Sequence, residues 1–383
     1  MFSTDLDEIH LQIMETAREF AKEEIAPSVI ERDIKAEFAC DIIKKLGELG
    51  FLGIMTPPEW GGSGLDALSY VIAIEEFAKV DASITIILSV QNSLIDWIIE
   101  TYGSNEQKEK FLRPLAEGKM LGAFCLSEPE AGSDASQQST SAVKEDNFWI
   151  LNGTKNWIST GHNADVHIVF AQTNKELRHK GIGCFIVEKG TEGFVPLKKE
   201  DKMGIRSSDT CSISIDNVKI PENQIIGGIG DGYNIALKAL NSGRIGIAAQ
   251  AVGIAQGAFE IALKYAMERK TFGKAIIEHQ MIQQKLAQMS AKIDAARMLV
   301  YKAAYLKDKH ENYIQASSHA KLFSSSVAVE VTRDAIQILG GYGYVREYHV
   351  ERMYRDAKIT EIYEGTSEIQ EIIIVRELMK KMG

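Results

Sequence analysis

The chain has 383 residues, of which 45% are hydrophobic and 25% charged, with a formal net charge of -10. Such a length and balance predict a soluble globular protein of two or three domains with enough apolar mass for a large core. The negative charge argues against a nucleic-acid partner, whose phosphates demand cations, and with no run of about 18 consecutive apolar residues, no membrane insertion is expected.

Residues 1–121 read as helical. Leu6, Ile9, Ile13, Ala17, Phe20 and Ala21 recur at helical spacing behind Ser3, Thr4 and Asp5, which can cap a helix. Ile42, Ile43, Leu46 and Leu49 repeat the pattern, and Pro57, Pro58, Gly61, Gly62 and Gly64 mark a loop. Further helical runs cover about 66–80, 82–100 and 105–116. From about Gly122 the texture changes. Phe148–Leu151, Val166–Phe170, Cys184–Val187 and Cys211–Ile215 are short and β-rich, separated by Asn-Gly, Lys-Gly and Asp-Asn turn signals, which predicts an antiparallel β domain. After Pro221 and the glycine-rich 227–232 stretch, long helical patterns run at about 232–269, 278–308 and 313–339, as in a bundle. The expected fold class is therefore α+β and multidomain. Its blocks are an N-terminal α-helical domain (1–121), a middle β domain (122–229) and a C-terminal α-helical bundle (230–383).

The cysteines Cys40, Cys125, Cys184 and Cys211 are scattered, without a CxxC pair. Neither a disulfide framework nor a zinc site of the usual spacing is expected. No signal or transit pattern opens the chain, so the expected location is cytoplasmic, or the mitochondrial matrix if the source is eukaryotic and a transit peptide has been removed.

Five short motifs carry possible chemistry. In Phe124–Asp134 a strand leads into a turn dense in small hydroxyl residues, which could bind the polar edge of a planar cofactor or simply cap itself. Trp157-Ile158-Ser159 follows an Asn152-Gly153 pair that reads as a hairpin turn. Its tryptophan could cover a flavin or sit in a core. Arg269, Lys270 and Lys274 stand at a helix end, before His279 and Gln280. They could meet a pyrophosphate, or only the helix dipole. Gln337-Ile338-Leu339-Gly340-Gly341 follows a helix rather than a strand, so a helix C-cap is a better reading than a dinucleotide fingerprint. In Tyr363-Glu364-Gly365-Thr366-Ser367-Glu368 a glutamate sits between two helical patterns. Thr366 or Ser367 could cap the last helix, and Glu364 alone reads as a loop carboxylate.

In this order and over the whole chain, the five motifs resemble the acyl-CoA dehydrogenase family. The run Asp356–Ser367 is close to a signature by itself, and Met203–Asp209 and Gly243–Ala248 look most like the short-chain, butyryl-type branch. The resemblance implies N-terminal helices, a middle β domain and a C-terminal four-helix bundle. It also implies a homotetramer, FAD as cofactor, an acyl-CoA substrate and an electron-transfer flavoprotein as acceptor.

Carried over by motif, the resemblance implies that Phe124, Leu126, Ser127, Gly132 and Ser133 line the flavin, with Trp157, Ile158 and Ser159 against its ring. Arg269, Phe272, Gln280, Gln337, Ile338, Gly340 and Gly341 would bind the FAD pyrophosphate and adenosine, partly from a neighbouring subunit. Thr366 and Glu368 would complete the cofactor site. Ser133, Asn241, Arg244, Tyr363 and Gly365 would meet the substrate. Glu364 matches the catalytic base. It would take the α-proton of the thioester from within a dry pocket, while the Glu364 N–H and a flavin ribitol hydroxyl support the thioester oxygen.

One branch of the family places its base on a long helix just before an arginine resembling Arg244. Gly243 stands there and cannot serve. The glutaryl-CoA branch is expected to carry an arginine where this chain has Thr85, so a neutral acyl chain of short to medium length is expected. Ser127 and Ser159 replace threonine, Asn241 replaces aspartate, and Glu371 stands where arginine is usual. The rival readings are an oxidase that passes electrons to O₂, a reductase working from enoyl-CoA to acyl-CoA in a bifurcating complex, and a flavin-bearing DNA-associated relative.

Overall fold

Asp7 opens the first helix. Its carboxylate accepts from the His10 N–H at 3.0 Å, and the His10 ring accepts from the Asp7 N–H at 3.3 Å, so two otherwise free donors are satisfied. The computed structural model describes residues 6–382, and the cap expected at Ser3, Thr4 and Asp5 lies outside the described residues. Helix α1 (Glu8–Phe20) buries His10, Ala17 and Phe20, while Ile9 of the expected apolar stripe faces solvent. Next come α2 (Val29–Lys35), α3 (Cys40–Glu48), α4 (Ala67–Ala78), α5 (Ala82–Ser89), α6 (Trp97–Tyr102), α7 (Asn105–Gln107) and α8 (Arg113–Ala116). Asp66 and Asp81 cap α4 and α5 by accepting from the Ser69 and Ser83 N–H groups, both at 2.8 Å; such caps stabilise by about 1 kcal/mol each.

The middle strands are β1 (Gly122–Cys125), β2 (Ser141–Glu145), β3 (Phe148–Ser159), β4 (Val166–Gln172), β5 (Ile182–Glu188), β6 (Phe194–Lys199), β7 (Thr210–Pro221) and β8 (Ile225–Ile226). They form one sheet in the order β6-β7-β3-β2-β4-β5-β8, with β1 beside β4. The sheet is mixed rather than wholly antiparallel, because β1 runs parallel to β4 and β2 meets β4 in parallel at Ser141–Gln172. The β2–β3 hairpin intervenes between β1 and β4 and supplies the chain length that a parallel return requires.

That hairpin turns at Asp146-Asn147, where Asp146 is left-handed at φ 51°. Asn152-Gly153, expected as a turn, instead lies inside β3 at a register shift. A Cβ at Gly153 would stand 2.7 Å from the Thr140 Cα, so glycine serves a close approach there.

The C-terminal block starts with α9 (Gly232–Glu268), followed by the small hairpin β9 (Lys270–Thr271) and β10 (Lys274–Ala275). Helices α10 (Gln280–Asp308), α11 (Ile314–Leu339), α12 (His349–Ile359) and α13 (Ser367–Met382) complete it. α9, α10 and α11 pack together, α12 and α13 lie on α11, and α4 and α5 pack on α9. By length and composition two helices could cross a membrane, Ala82–Tyr102 and Gly232–Glu268, but 94% and 78% of their apolar windows are buried inside the fold. Here they are core helices.

One apolar core runs through the helices of both ends and takes in Val166 and Phe170 from the sheet and Leu126 just past β1; a second, around Trp149, Leu151, Phe185 and Ile213, lies on the other face. Each such large side chain contributes about 1.5–3 kcal/mol when fully buried. The three blocks meet at a charged junction. Arg355 donates to Asp33 at 2.6 Å and to the Met203 carbonyl at 3.0 Å, and Asp356 accepts from the Ile205 N–H at 2.5 Å. This junction fixes α12, and with it the loop that follows.

Candidate active site

The loop between α12 and α13 turns through two left-handed residues, Glu364 at φ 52° and Gly365 at φ 92°. A glutamate there is strained. Tyr363 before it donates its hydroxyl to Gln250 of α9, and Thr366 after it caps α13, accepting from the Ile369 N–H at 3.4 Å. The turn aims the Glu364 side chain inward. The residue as a whole is half-buried, but both carboxylate oxygens are buried and have no hydrogen-bond partner among the described residues.

Burial pushes the Glu364 carboxyl up to about 7, against the opposing pull of Arg244 and Lys321. The carboxylate therefore stands poised to take a proton near neutral pH. The Glu364 N–H likewise finds no acceptor among the described residues.

The wall facing this carboxylate belongs to α9. A Cβ on Gly243 would overlap the Glu364 carboxylate and come within 3.1 Å of Leu94. Arg244 is buried beside it and donates to Asn241 at 2.6 Å, with its Nε unpartnered. Burial draws its pKa down to about 10, opposed by Glu364. Tyr70 of α4, hydrogen-bonded to Ser89 at 3.1 Å, is electrostatically coupled to Glu364. Gln250 donates to the Ala82 carbonyl at 2.8 Å and to the Thr85 hydroxyl at 3.0 Å.

A second cluster joins the first two motifs. Glu128 and Lys155 form a buried ion pair at 2.7 Å. Lys155 also donates to the Leu126 carbonyl and to Gln138, both at 3.1 Å, while Glu128 accepts from the Ser139 N–H at 2.6 Å. Burial opposes ionisation of Glu128, but Lys155 and these donors outweigh it and hold its carboxyl below the usual range. The turn from Leu126 to Ser139 thus hangs on one pair.

Asn156 donates its N–H to the Ser127 carbonyl at 2.8 Å, which ties in the bulge between Lys155 and Ile158. The bulge throws Trp157 outward, left-handed at φ 60° and 62% exposed. It is not a core tryptophan. Ile158 faces the sheet core, so only its backbone is free, and Ser159 is half-buried. Phe124 packs edge-on against Phe170 at 5.1 Å. Gly132 and Ser133 are exposed, and a Cβ on Gly132 would meet nothing within 4 Å.

A third cluster joins the helix-end cations to the GG turn. Arg269 caps the C-terminus of α9, and its guanidinium lies 5.9 Å over the Tyr342 ring. A cleft of about 520 Å³ opens between Arg269, Thr271, Gly340, Gly341 and Tyr342. Gly340 caps α11 at φ 61°, and neither it nor Gly341 has an atom within 4 Å of an added Cβ. Phe272, at φ 50°, is 97% exposed. Gln280 and Gln337 are exposed, whereas Ile338 points its side chain into the bundle.

Three family descriptions match nearly the whole chain. Residues 7–119 match "Acyl-CoA dehydrogenase, N-terminal domain", 123–218 the middle domain and 230–379 the C-terminal domain. The chain belongs to the acyl-CoA dehydrogenase family. It is 46% identical over 368 residues to the short-chain-specific acyl-CoA dehydrogenase of Clostridium acetobutylicum, spanning 96% of this chain and 97% of that protein. Butyryl-CoA dehydrogenase from Megasphaera elsdenii superposes with a TM-score of 0.97 at 46% identity, covering 99% of this chain and all of that one. A chain from the structure described as the electron transferring flavoprotein of Acidaminococcus fermentans, directed at flavin-based electron bifurcation, superposes with a TM-score of 0.98 at 47% identity, covering 99% of this chain and all of that one.

Members of this family are FAD-dependent oxidoreductases, and features of this chain fit such a group. Two aromatic side chains, Trp157 and Phe272, stand exposed on left-handed backbone, and Gly132, Gly340 and Gly341 leave open cradles. Sequence reading missed Lys155, Lys321, Gln250 and Tyr70. Lys155 lies inside the second motif's run but was given no role, and Lys321, Gln250 and Tyr70 stand outside the motifs as ordinary helix residues; only the folded chain brings them against a motif.

Proposed function

We propose that this acyl-CoA dehydrogenase oxidises a short acyl-CoA to the trans-2-enoyl-CoA, with Glu364 as the catalytic base. The observation that carries the proposal is the buried, unpartnered Glu364 carboxylate with its proton affinity raised to about 7. Glu364 takes the α-proton of the thioester. The unused Glu364 N–H supports the thioester oxygen as charge develops there. FAD, when bound, supplies the two-electron acceptor for the β-hydride, and the electrons pass on to an electron-transfer flavoprotein.

In this reading the Leu126–Ser133 turn, Trp157 and Ser159 hold the flavin ring. Thr366 and Glu368 stand at the edge of the same site. Arg269, Phe272, Gln280 and the 337–341 turn hold the pyrophosphate and adenosine of a cofactor carried by a neighbouring subunit. Ser133, Asn241, Arg244, Tyr363 and Gly365 meet the substrate. A homotetramer is supported by Phe272 and Tyr344, which are 97% and 85% exposed in the single chain.

A neutral, short acyl group is favoured by Thr85. Its hydroxyl is engaged with the Ala82 carbonyl and Gln250, and a distal carboxylate buried there would have no cation to meet. The test is anaerobic mixing of the yellow enzyme with acyl-CoAs of graded length. Bleaching fastest with chains of about four to six carbons is expected; fastest bleaching with long chains or glutaryl-CoA would refute the substrate class.

A second reading runs the same groups in reverse, with Glu364 delivering a proton to Cα of an enoyl-CoA. The likeness to the Acidaminococcus fermentans chain keeps it in play. Comparing turnover of butyryl-CoA with an oxidised flavoprotein acceptor against turnover of crotonyl-CoA with a reduced donor separates the two directions.

A further inference from the structure

Lys321 lies in the middle of α11, buried among Ser317, Ser318, Ser324 and Ala328. Its ammonium donates to the Gly365 carbonyl at 2.7 Å, and no carboxylate stands within ion-pair distance of it among the described residues. An unpaired buried cation is costly, and a methionine or leucine would pack the same volume without that penalty. What the lysine touches is the left-handed turn that aims Glu364. The Gly365 carbonyl accepts a second hydrogen bond, from Gln370 at 2.8 Å, so both its lone pairs are engaged and the peptide after the base is held from two sides.

We propose that Lys321 is a positioning residue for the catalytic base, pinning the Gly365 carbonyl and supplying a fixed positive charge that favours the ionised form of Glu364. The proposal deepens the reading of Glu364 as the base and rests on it. Other groups face the pair. Arg244 reaches it from α9 and Tyr70 from α4, Tyr363 and Glu361 belong to the loop, and Glu368 lies on α13. Arg244 is the other cation coupled to Glu364, but its guanidinium hydrogen-bonds Asn241. Among the described residues, Lys321 alone joins the charge to the turn at Gly365. Burial draws the Lys321 pKa down to about 8 while Glu364 opposes the fall, so the ammonium persists at neutral pH.

The test uses holoenzyme of K321M, a substitution that keeps the length of the side chain and removes both donor and charge. A nearby cation lowers a carboxyl pKa, and its loss raises it. The acid limb of kcat/KM for butyryl-CoA is therefore expected to move up by about one pH unit. With the turn released, kcat is expected to fall about ten- to a hundredfold, at unchanged flavin content. A purely structural lysine would lower stability and leave the pH profile in place, and an unmoved acid limb overturns the proposal.

If K321M yields no folded holoenzyme, the same substitution in the E364Q background decides. Recovery of folded, flavin-bound protein supports a coupling between the two side chains; failure there too overturns it. E364Q alone tests the underlying reading. Normal turnover in E364Q would remove the base itself, whereas a dead E364Q with an unmoved K321M profile removes only the role of Lys321.

Discussion

Gly243 and Glu364 share one volume. The side chain that position 243 lacks is the space the Glu364 carboxylate fills, since a Cβ there would overlap it. In the proposed reading, the position expected to carry the base in one branch of the family has no side chain here, and the carboxylate from the α12–α13 loop takes its place. The two alternatives exclude each other sterically.

The first prediction follows from that overlap. Gly243→Ala should expel the carboxylate from its seat and lower kcat by about a hundredfold or more, because small misplacements of a reacting group cost that much. The flavin absorbance should remain, as Gly243 is remote from the Leu126–Ser133 turn in sequence and in hydrogen bonding. Wild-type turnover in this variant would mean that the carboxylate works from another position.

Glu364→Gln should retain the yellow cofactor and lose substrate bleaching by several orders of magnitude. Stopped-flow mixing under anaerobic conditions reads this directly.

The same substitution should also change stability, in a way that depends on pH. The folded pKa of Glu364, about 7, lies above its ordinary value of 4.5. The group therefore favours the fold most below its unfolded pKa, and that contribution is lost as pH rises through 7. Glutamine does not titrate. E364Q should gain on the wild type as pH rises, by up to about 3 kcal/mol near pH 8. Thermal unfolding at about pH 5 and about pH 8 compares them; an identical difference at both pH values would mean an exposed carboxyl.

Since the base works ionised, kcat/KM should climb with pH through a limb near 7 and then level. A profile flat from about pH 5 upward would place the working pKa near the ordinary carboxylate value and contradict the dry pocket.

Lys155→Met leaves Glu128 buried without its cation, a change that typically costs about 3–5 kcal/mol. The turn that Glu128 holds should loosen, so flavin should wash out of this variant on gel filtration. Trp157→Ala removes an exposed side chain and should change stability little, within about 0.5 kcal/mol, while weakening flavin retention. Equal flavin content in both variants and the wild type would separate this cluster from the cofactor.

Periodicity sufficed for the long helices. The 37 residues of α9 and the 29 of α10 match the apolar patterns within two residues, since a bundle helix must keep one face apolar along its length. Strand direction was less legible. Alternation tells a strand from a helix, but it does not say whether β1 lies parallel to β4, which depends on where the intervening hairpin docks. Asn152-Gly153 misled for a related reason, because glycine answers equally to a turn and to a close neighbour such as Thr140.

In the site, the motif residues were legible only as a set. The strain at Glu364 and Trp157, the ion pair beneath the Leu126–Ser133 turn and the buried Lys321 are long-range relationships. No local spacing encodes them. Ile158 and Ile338 show the converse, since each belongs to a motif yet turns its side chain into a core.

Helix α9 acts as a ruler. Gly243, against the Glu364 carboxylate, and Arg269, at the cleft beside Gly340 and Gly341, are separated by 26 residues, or about 39 Å along a helix axis at 1.5 Å per residue. In the proposed reading the near end of this rod seats the base and its far end serves a cofactor carried by a neighbouring subunit, so an isolated chain would own two half-sites and no whole one.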